Sequence, residues 1–160
     1  MKQVKINTQY TVFDSQTELE ENDNALMLKA QEAINNAYAP YSHFQVGAAV
    51  LLESGKVVLG NNQENAAYPS GMCAERVAIW SAASRYPKEK VLKIAIAVKS
   101  TLKEVTKPVA PCGACRQTLL EYEVKQKAPI EIFFMGETGK VIKTNSLSDL
   151  LPFSFDASFL

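Results

Sequence analysis

Apolar side chains recur at helical spacing between Ala25 and Tyr38. Leu26, Met27, Ala30, Ala33, Ile34 and Ala37 fall on one stripe, which Pro40 stops. The pattern predicts an amphipathic helix packed on a sheet. Before it, Val4 to Phe13 alternates loosely enough to be an edge strand, and Asp14 to Asp23 then turns acidic and polar. After it, Phe44–Leu52 and Lys56–Gly60 are strand-like runs joined through Glu53-Ser54-Gly55, a connection that forces a hairpin and antiparallel pairing. Leu92–Val98 and Ile130–Met135 are apolar runs interrupted only by Lys93 and Glu131, close to the pattern of strands buried on both faces. A helix-forming segment precedes each of them, which predicts two β-α-β crossovers and helices on both sides of the sheet. Trp80, in the first of these segments, is expected in the core. The turn Gly136-Glu137-Thr138-Gly139 should return Lys140–Thr144 antiparallel to Ile130–Met135, and Leu147–Leu151 reads as one short helical turn. The expected class is α/β: three α/β/α layers around a mixed, five-stranded sheet with an antiparallel last strand.

The chemistry is concentrated at the starts of the two crossover helices. Cys73 opens a run through Ala74, Glu75, Arg76 and Ala83, and Pro111-Cys112-Gly113-Ala114-Cys115-Arg116 opens the second. Pro is favoured in a first helical turn, where its missing N–H costs nothing. Together the two segments hold all three cysteines of the chain. Cys112 and Cys115 stand one helical turn apart on one face, and Cys73 lies two residues before a carboxylic acid. A catalytic zinc site needs three protein ligands, an open position and a nearby carboxylate that does not ligate. Cys73, Cys112 and Cys115 fit the ligands of one Zn²⁺ per chain, and Glu75 fits the general acid/base. The arrangement matches the zinc deaminase signature in which Cys replaces the His of H-x-E, followed by P-C-x-x-C. Three thiolates exceed the charge of one Zn²⁺. Helix N-termini, together with Arg76 or Arg116, are the expected compensation.

With 160 residues the chain is expected to form a single domain, residues 1–160, in which 1–23 are an extension of unread role. Lysine and arginine together number 17, as do aspartate and glutamate, so no global positive field points to a nucleic-acid polymer. No apolar stretch reaches membrane-spanning length, and an odd number of cysteines argues against a disulfide framework. A soluble, cytoplasmic protein without a membrane partner is expected. Two other readings of the cysteines stand beside the catalytic one. One is a redox C-x-x-C pair plus a core thiol. The other is a closed, structural zinc site in a non-catalytic binding module, with His43 as fourth ligand.

Three segments carry a family resemblance: Tyr41-Ser42-His43-Phe44-Gln45-Val46-Gly47-Ala48-Ala49, Asn62-Gln63-Glu64-Asn65-Ala66-Ala67-Tyr68, and the Cys-Ala-Glu-Arg and Pro-Cys-x-x-Cys pair. With them, and with Leu150-Leu151-Pro152 followed by Phe155, the chain resembles the small homotetrameric cytidine deaminases of free nucleosides from about Ala25 to Phe155. The resemblance implies a cytidine-deaminase-like fold, zinc as cofactor and a nucleoside substrate. It implies that Phe44 stacks on the pyrimidine, that Asn62 and Glu64 bond the ribose 3′-hydroxyl, and that the backbone at Ala74 meets the base carbonyl. It further implies that Ala66, Tyr68 and Phe155 reach sites of neighbouring subunits in a homotetramer. Ala66 and Tyr68 follow Asn62 and Glu64 too closely for all of them to be expected in one pocket. The implied reaction is hydrolytic deamination of cytidine and 2′-deoxycytidine to uridine and 2′-deoxyuridine with release of ammonia, as in pyrimidine salvage. Deamination of another cytosine nucleoside, such as blasticidin S, uses the same site and is the alternative within the enzyme class.

Overall fold

The computed structural model describes residues 1–160. Its strands are β1 (Thr11–Phe13), β2 (Phe44–Leu52), β3 (Val57–Asn61), β4 (Val91–Ser100), β5 (Glu131–Met135) and β6 (Val141–Thr144); its helices are α1 (Glu21–Ile34), α2 (Ala74–Arg85) and α3 (Gly113–Gln126). The strands form one sheet in the order β1-β6-β5-β4-β2-β3, in which β4 and β5 run parallel and every other neighbouring pair antiparallel. Both crossovers are present. Chain order β3-α2-β4 steps over β2, and β4-α3-β5 joins the parallel neighbours.

Strand alternation assigns the two faces of the sheet. Ala48, Val50, Ile94 and Ile96 pack with Ile79 of α2 and Leu119 of α3, whereas Ala49, Ala95 and Ala97 lie under Met27 and Ala30 of α1. Small residues bring the helices close. At Gly47 a Cβ would collide with the Ala30 carbonyl of α1, and at Gly60 with Ala74 O and Ala78 N of α2. Gly60 therefore lets the first turn of α2, with its site residues, lie against β3.

The sheet has six strands where five are expected. The extra one comes from the loosely alternating N-terminal stretch, of which only Thr11–Phe13 pairs, with Val141–Lys143 of β6. An otherwise open β6 edge supplies the backbone partners, and Phe13 and Leu19 extend the α1-side core. Val4, Ile6 and Tyr10 stay exposed outside the ladder. Helix α1 also ends earlier than its stripe suggests. Tyr38 leaves it to exchange backbone bonds with the Asn62–Glu64 loop, donating to Asn62 O (3.0 Å) and accepting from Glu64 N (2.9 Å). Trp80 is 42% exposed and not a core residue, because Ala74, Ala78, Ile79 and Ala82 already occupy the inner face of α2. No helix is long and apolar enough to cross a membrane.

Candidate active site

Cys73 caps the N-terminus of α2, Cys112 that of α3, and Cys115 sits in the first turn of α3. The two helices lie side by side on one face of the sheet, so their N-termini bring the three thiols together. The Sγ atoms lie within 4.8 Å of one another, and no other potential ligand joins them. Tetrahedral zinc with Zn–S bonds of about 2.3 Å separates its sulfurs by about 3.8 Å, so the donor set fits zinc with small adjustment. His43 is not part of the cluster. It is an exposed residue at φ 56° in the turn before β2, which removes the fourth ligand of the closed-site reading.

The thiols share charge unequally. Hydrogen bonding from Cys115 overcomes burial and, with Arg76, brings the Cys73 pKa down to about 5. The same contact with Cys73, reinforced by burial, pushes the Cys115 thiol up. Arg76 Nη2 lies 3.5 Å from Cys73 Sγ, and Arg76 Nε is buried with no partner of its own. That spare donor is what a cluster with all its thiols ionised would need. Glu75 is 5% exposed, and its burial, with the Cys73 charge beside it, raises its carboxyl pKa above the ordinary range.

A cavity of about 750 Å³ opens onto these groups and is lined by Phe44, Asn62, Glu64, Cys73, Glu75 and Cys112 among others. Asn62 Oδ1 accepts the Val46 N–H and its Nδ2 donates to Phe44 O, both at 2.8 Å. Glu64 accepts the N–H groups of Tyr41 (2.9 Å) and Ser42 (3.2 Å) and the Ser42 hydroxyl. Burial alone would raise the Glu64 pKa, but these three donors hold it below the usual carboxylate range. Ser42 Oγ also accepts the Phe44 N–H at 3.0 Å, so one hydroxyl ties Phe44 to Glu64.

Not every expected residue converges here. Ala74 is fully buried and Cys115 lies beneath the cavity wall; Ala66 and Phe155 are outside it. Tyr68 departs from expectation, since it lines the same cavity as Asn62 and Glu64. The 3₁₀ turn Tyr68–Ser70 folds the chain back there, with the Tyr68 ring 6.1 Å edge-on from Tyr41 and the residue 76% exposed at the rim. Phe155 stacks on Phe159 at 5.7 Å, and its carbonyl accepts from Gln117 Nε2 at 2.7 Å.

Residues 20–128 match the family model of the cytidine and deoxycytidylate deaminase zinc-binding region. The chain belongs to this deaminase family. It is 41% identical over 137 residues to the cytidine deaminase of Halalkalibacterium halodurans, covering 84% of this chain and 96% of that one. With the probable cytidine deaminase of Dictyostelium discoideum it shares 40% over 117 residues, 71% of this chain and 76% of the relative. The crystal structure of the Burkholderia pseudomallei cytidine deaminase superposes with a TM-score of 0.71 at 41% identity, over 82% of this chain and 97% of that one. That of Mycobacterium tuberculosis gives 0.65 at 31%, over 85% and 98%.

Within this deaminase fold, two residues of the motif segments make contacts that sequence spacing does not give. Ser42 joins the cavity wall through contacts made across 22 residues of chain to Glu64. Arg116, the alternative to Arg76 as a thiolate partner, donates to the carbonyls of Pro111 and Leu150. Arg76 alone takes the thiolate role, and Trp80 lies 5.9 Å from its guanidinium on the exposed side.

Proposed function

We propose that this chain catalyses the zinc-dependent hydrolytic deamination of cytidine and 2′-deoxycytidine to uridine and 2′-deoxyuridine, releasing ammonia, as a step of pyrimidine salvage in the cytoplasm. One observation carries the reading: three thiols converge at two helix N-termini beside a buried carboxyl group, and Cys73, Cys112 and that carboxyl group line one cavity.

Cys73, Cys112 and Cys115 would hold the zinc, with Arg76 offsetting their surplus charge. Zinc bound by three thiolates supplies Lewis acidity that makes water a competent nucleophile at neutral pH. Glu75 supplies the proton transfers. Its raised pKa suits a group that must gain and lose protons in each turnover. It takes a proton from water as the oxygen adds to C4 of the pyrimidine, and delivers that proton to N3. It then moves the second proton to the exocyclic nitrogen, and the C4–N bond breaks to give the 4-oxo base and ammonia. Water in, ammonia out: the atoms balance without a redox partner.

Phe44 offers a ring for the base, and the backbone at Ala74, in the first turn of α2, is the donor proposed for the base carbonyl. Asn62 and Glu64 are the proposed partners of the ribose 3′-hydroxyl. Both already brace the Tyr41–Val46 segment, which favours a preformed sugar site. A 2′-hydroxyl has no assigned partner in this reading, hence both sugars are accepted. Ala66 and Phe155 are exposed outside the cavity, and Tyr68, although it lines its own chain's cavity, is exposed at the rim, which supports their proposed use in neighbouring subunits of a homotetramer.

The reading is tested by incubating the purified, zinc-loaded protein with cytidine, 2′-deoxycytidine and blasticidin S and following ammonia. Comparable turnover of the first two with little of the third supports it. Turnover confined to blasticidin S would replace the substrate, and none with any of them would sink the activity.

A further inference from the structure

Glu123, in α3, is a buried carboxylate, 8% exposed, that has no place in the proposed reaction. Its Oε2 accepts the N–H groups of Ile130 (2.8 Å) and Leu147 (2.9 Å), and its Oε1 accepts the Ser146 hydroxyl at 2.5 Å. One side chain thus seats both the entry to β5 and the turn after β6 against α3. Charge-assisted bonds from backbone donors to a buried carboxylate are among the stronger ones available, so this turn is a firm point. The turn then closes on itself, with Leu150 and Leu151 donating to Leu147 O at 2.9 and 3.0 Å.

Two helical turns earlier, on the same side of α3, Arg116 reaches back to that point. Its Nη1 donates to Leu150 O (3.1 Å) while its Nε donates to Pro111 O (2.8 Å). Pro111 is buried and directly precedes Cys112, whose own side chain makes no capping bond. The chain on the other side of Pro111, residues 101–110, has no regular structure. The Pro111 carbonyl is therefore the pinned point from which the Cys112 thiol is presented. The planar, forked guanidinium suits the task, because two carbonyls in different segments can be held at fixed separation by one rigid group.

We infer that Arg116 is a positioning residue for the metal ligand Cys112, working from the C-terminal turn that Glu123 seats. The inference rests on the reading that the three cysteines hold zinc. Outer groups that orient metal ligands commonly change metal affinity about 10–100-fold when removed.

The test is zinc release from full-length, zinc-loaded protein into excess chromogenic chelator under native conditions, with melting temperatures recorded alongside. Arg116→Met is expected to speed release about 10–100-fold. Arg116→Lys, able to reach only one of the two carbonyls, should fall between, and it decides the matter if Arg116→Met does not fold. Glu123→Gln should also speed release, yet add less than about twofold in the Arg116→Met or Arg116→Lys background, since both act through one path. Leu26→Ala, on the opposite layer of the sheet, should lower the melting temperature and leave release unchanged. The positioning role is overturned if the Arg116 variants release zinc within about twofold of the unsubstituted protein, if the Glu123 and Arg116 effects multiply, or if release merely follows melting temperature across all variants, Leu26→Ala included. Unsubstituted protein that binds no zinc would overturn the zinc reading itself, and this inference with it.

Discussion

Each thiol in the cluster has a different reason for being where it is. Cys73 ends the loop that β3 delivers to α2, Cys112 caps α3, and Cys115 is buried one turn further in, so no one of them can move to cover the loss of another. Replacing any of the three by Ser should therefore abolish stoichiometric zinc, read by metal analysis of the purified variants; full zinc in all three would refute the ligand set. His43→Ala should keep its zinc, since His43 stands outside the cluster. These assignments are legible in the sequence because three cysteines must account for three ligands and Glu75 stands at fixed spacing from one of them. Ser42, Arg116 and Trp80 are not legible in the same way. What decides them is the partner they meet after folding, namely Glu64, Leu150 and the outer side of α2.

Periodicity carries over well to the elements, because the pleat and the helix impose it: the hairpin β2-β3, the buried strands β4 and β5 and the antiparallel return β6 all follow from pattern. Element ends follow less well, as Tyr38 shows by leaving the α1 stripe for backbone bonds to the Asn62–Glu64 loop. The sixth strand is hidden for a similar reason. Three residues of weak alternation acquire their state from the β6 edge, not from their own composition. Between β3 and α2 the contact at Gly60 leaves no room for a side chain. Gly60→Val should lower stability by about 1–3 kcal/mol in denaturant unfolding and weaken zinc retention; unchanged stability would show that α2 can shift freely. On the α1 side of the sheet, Glu131 forms ion pairs with Lys143 (2.7 Å) and Lys93 (3.1 Å), and Lys93 also pairs with Asp23 at 2.5 Å. Partial burial raises the Glu131 pKa, but the two lysines outweigh it and hold the carboxyl below its ordinary 4.5. A depressed folded-state pKa contributes stability that is present above the unfolded value and is lost as pH falls through the folded one. The melting temperature should accordingly drop as the protein is acidified below pH 4.5, and less steeply in Glu131→Gln; equal slopes would remove Glu131 from the acid transition.

At the scale of the whole molecule, the chain leaves Phe153, Phe155, Phe159 and Tyr68 exposed while its cavity stays open. A closed symmetric assembly would let those rings complete cavities in neighbours. Glu75→Ala and Phe155→Ala chains, each weak alone, are then expected to exceed the sum of their activities when unfolded together and refolded with zinc. No gain in mixtures shown to contain mixed oligomers would rule out a shared site. The central claim is narrower: one buried carboxyl beside a three-thiolate zinc site performs the proton transfers of nucleoside deamination. Its most direct measurement is the rate of cytidine conversion by zinc-loaded Glu75→Gln protein. The expected result is a loss of at least about 10²–10⁴-fold with zinc still bound at about one per chain. Near-normal turnover by that variant would contradict it.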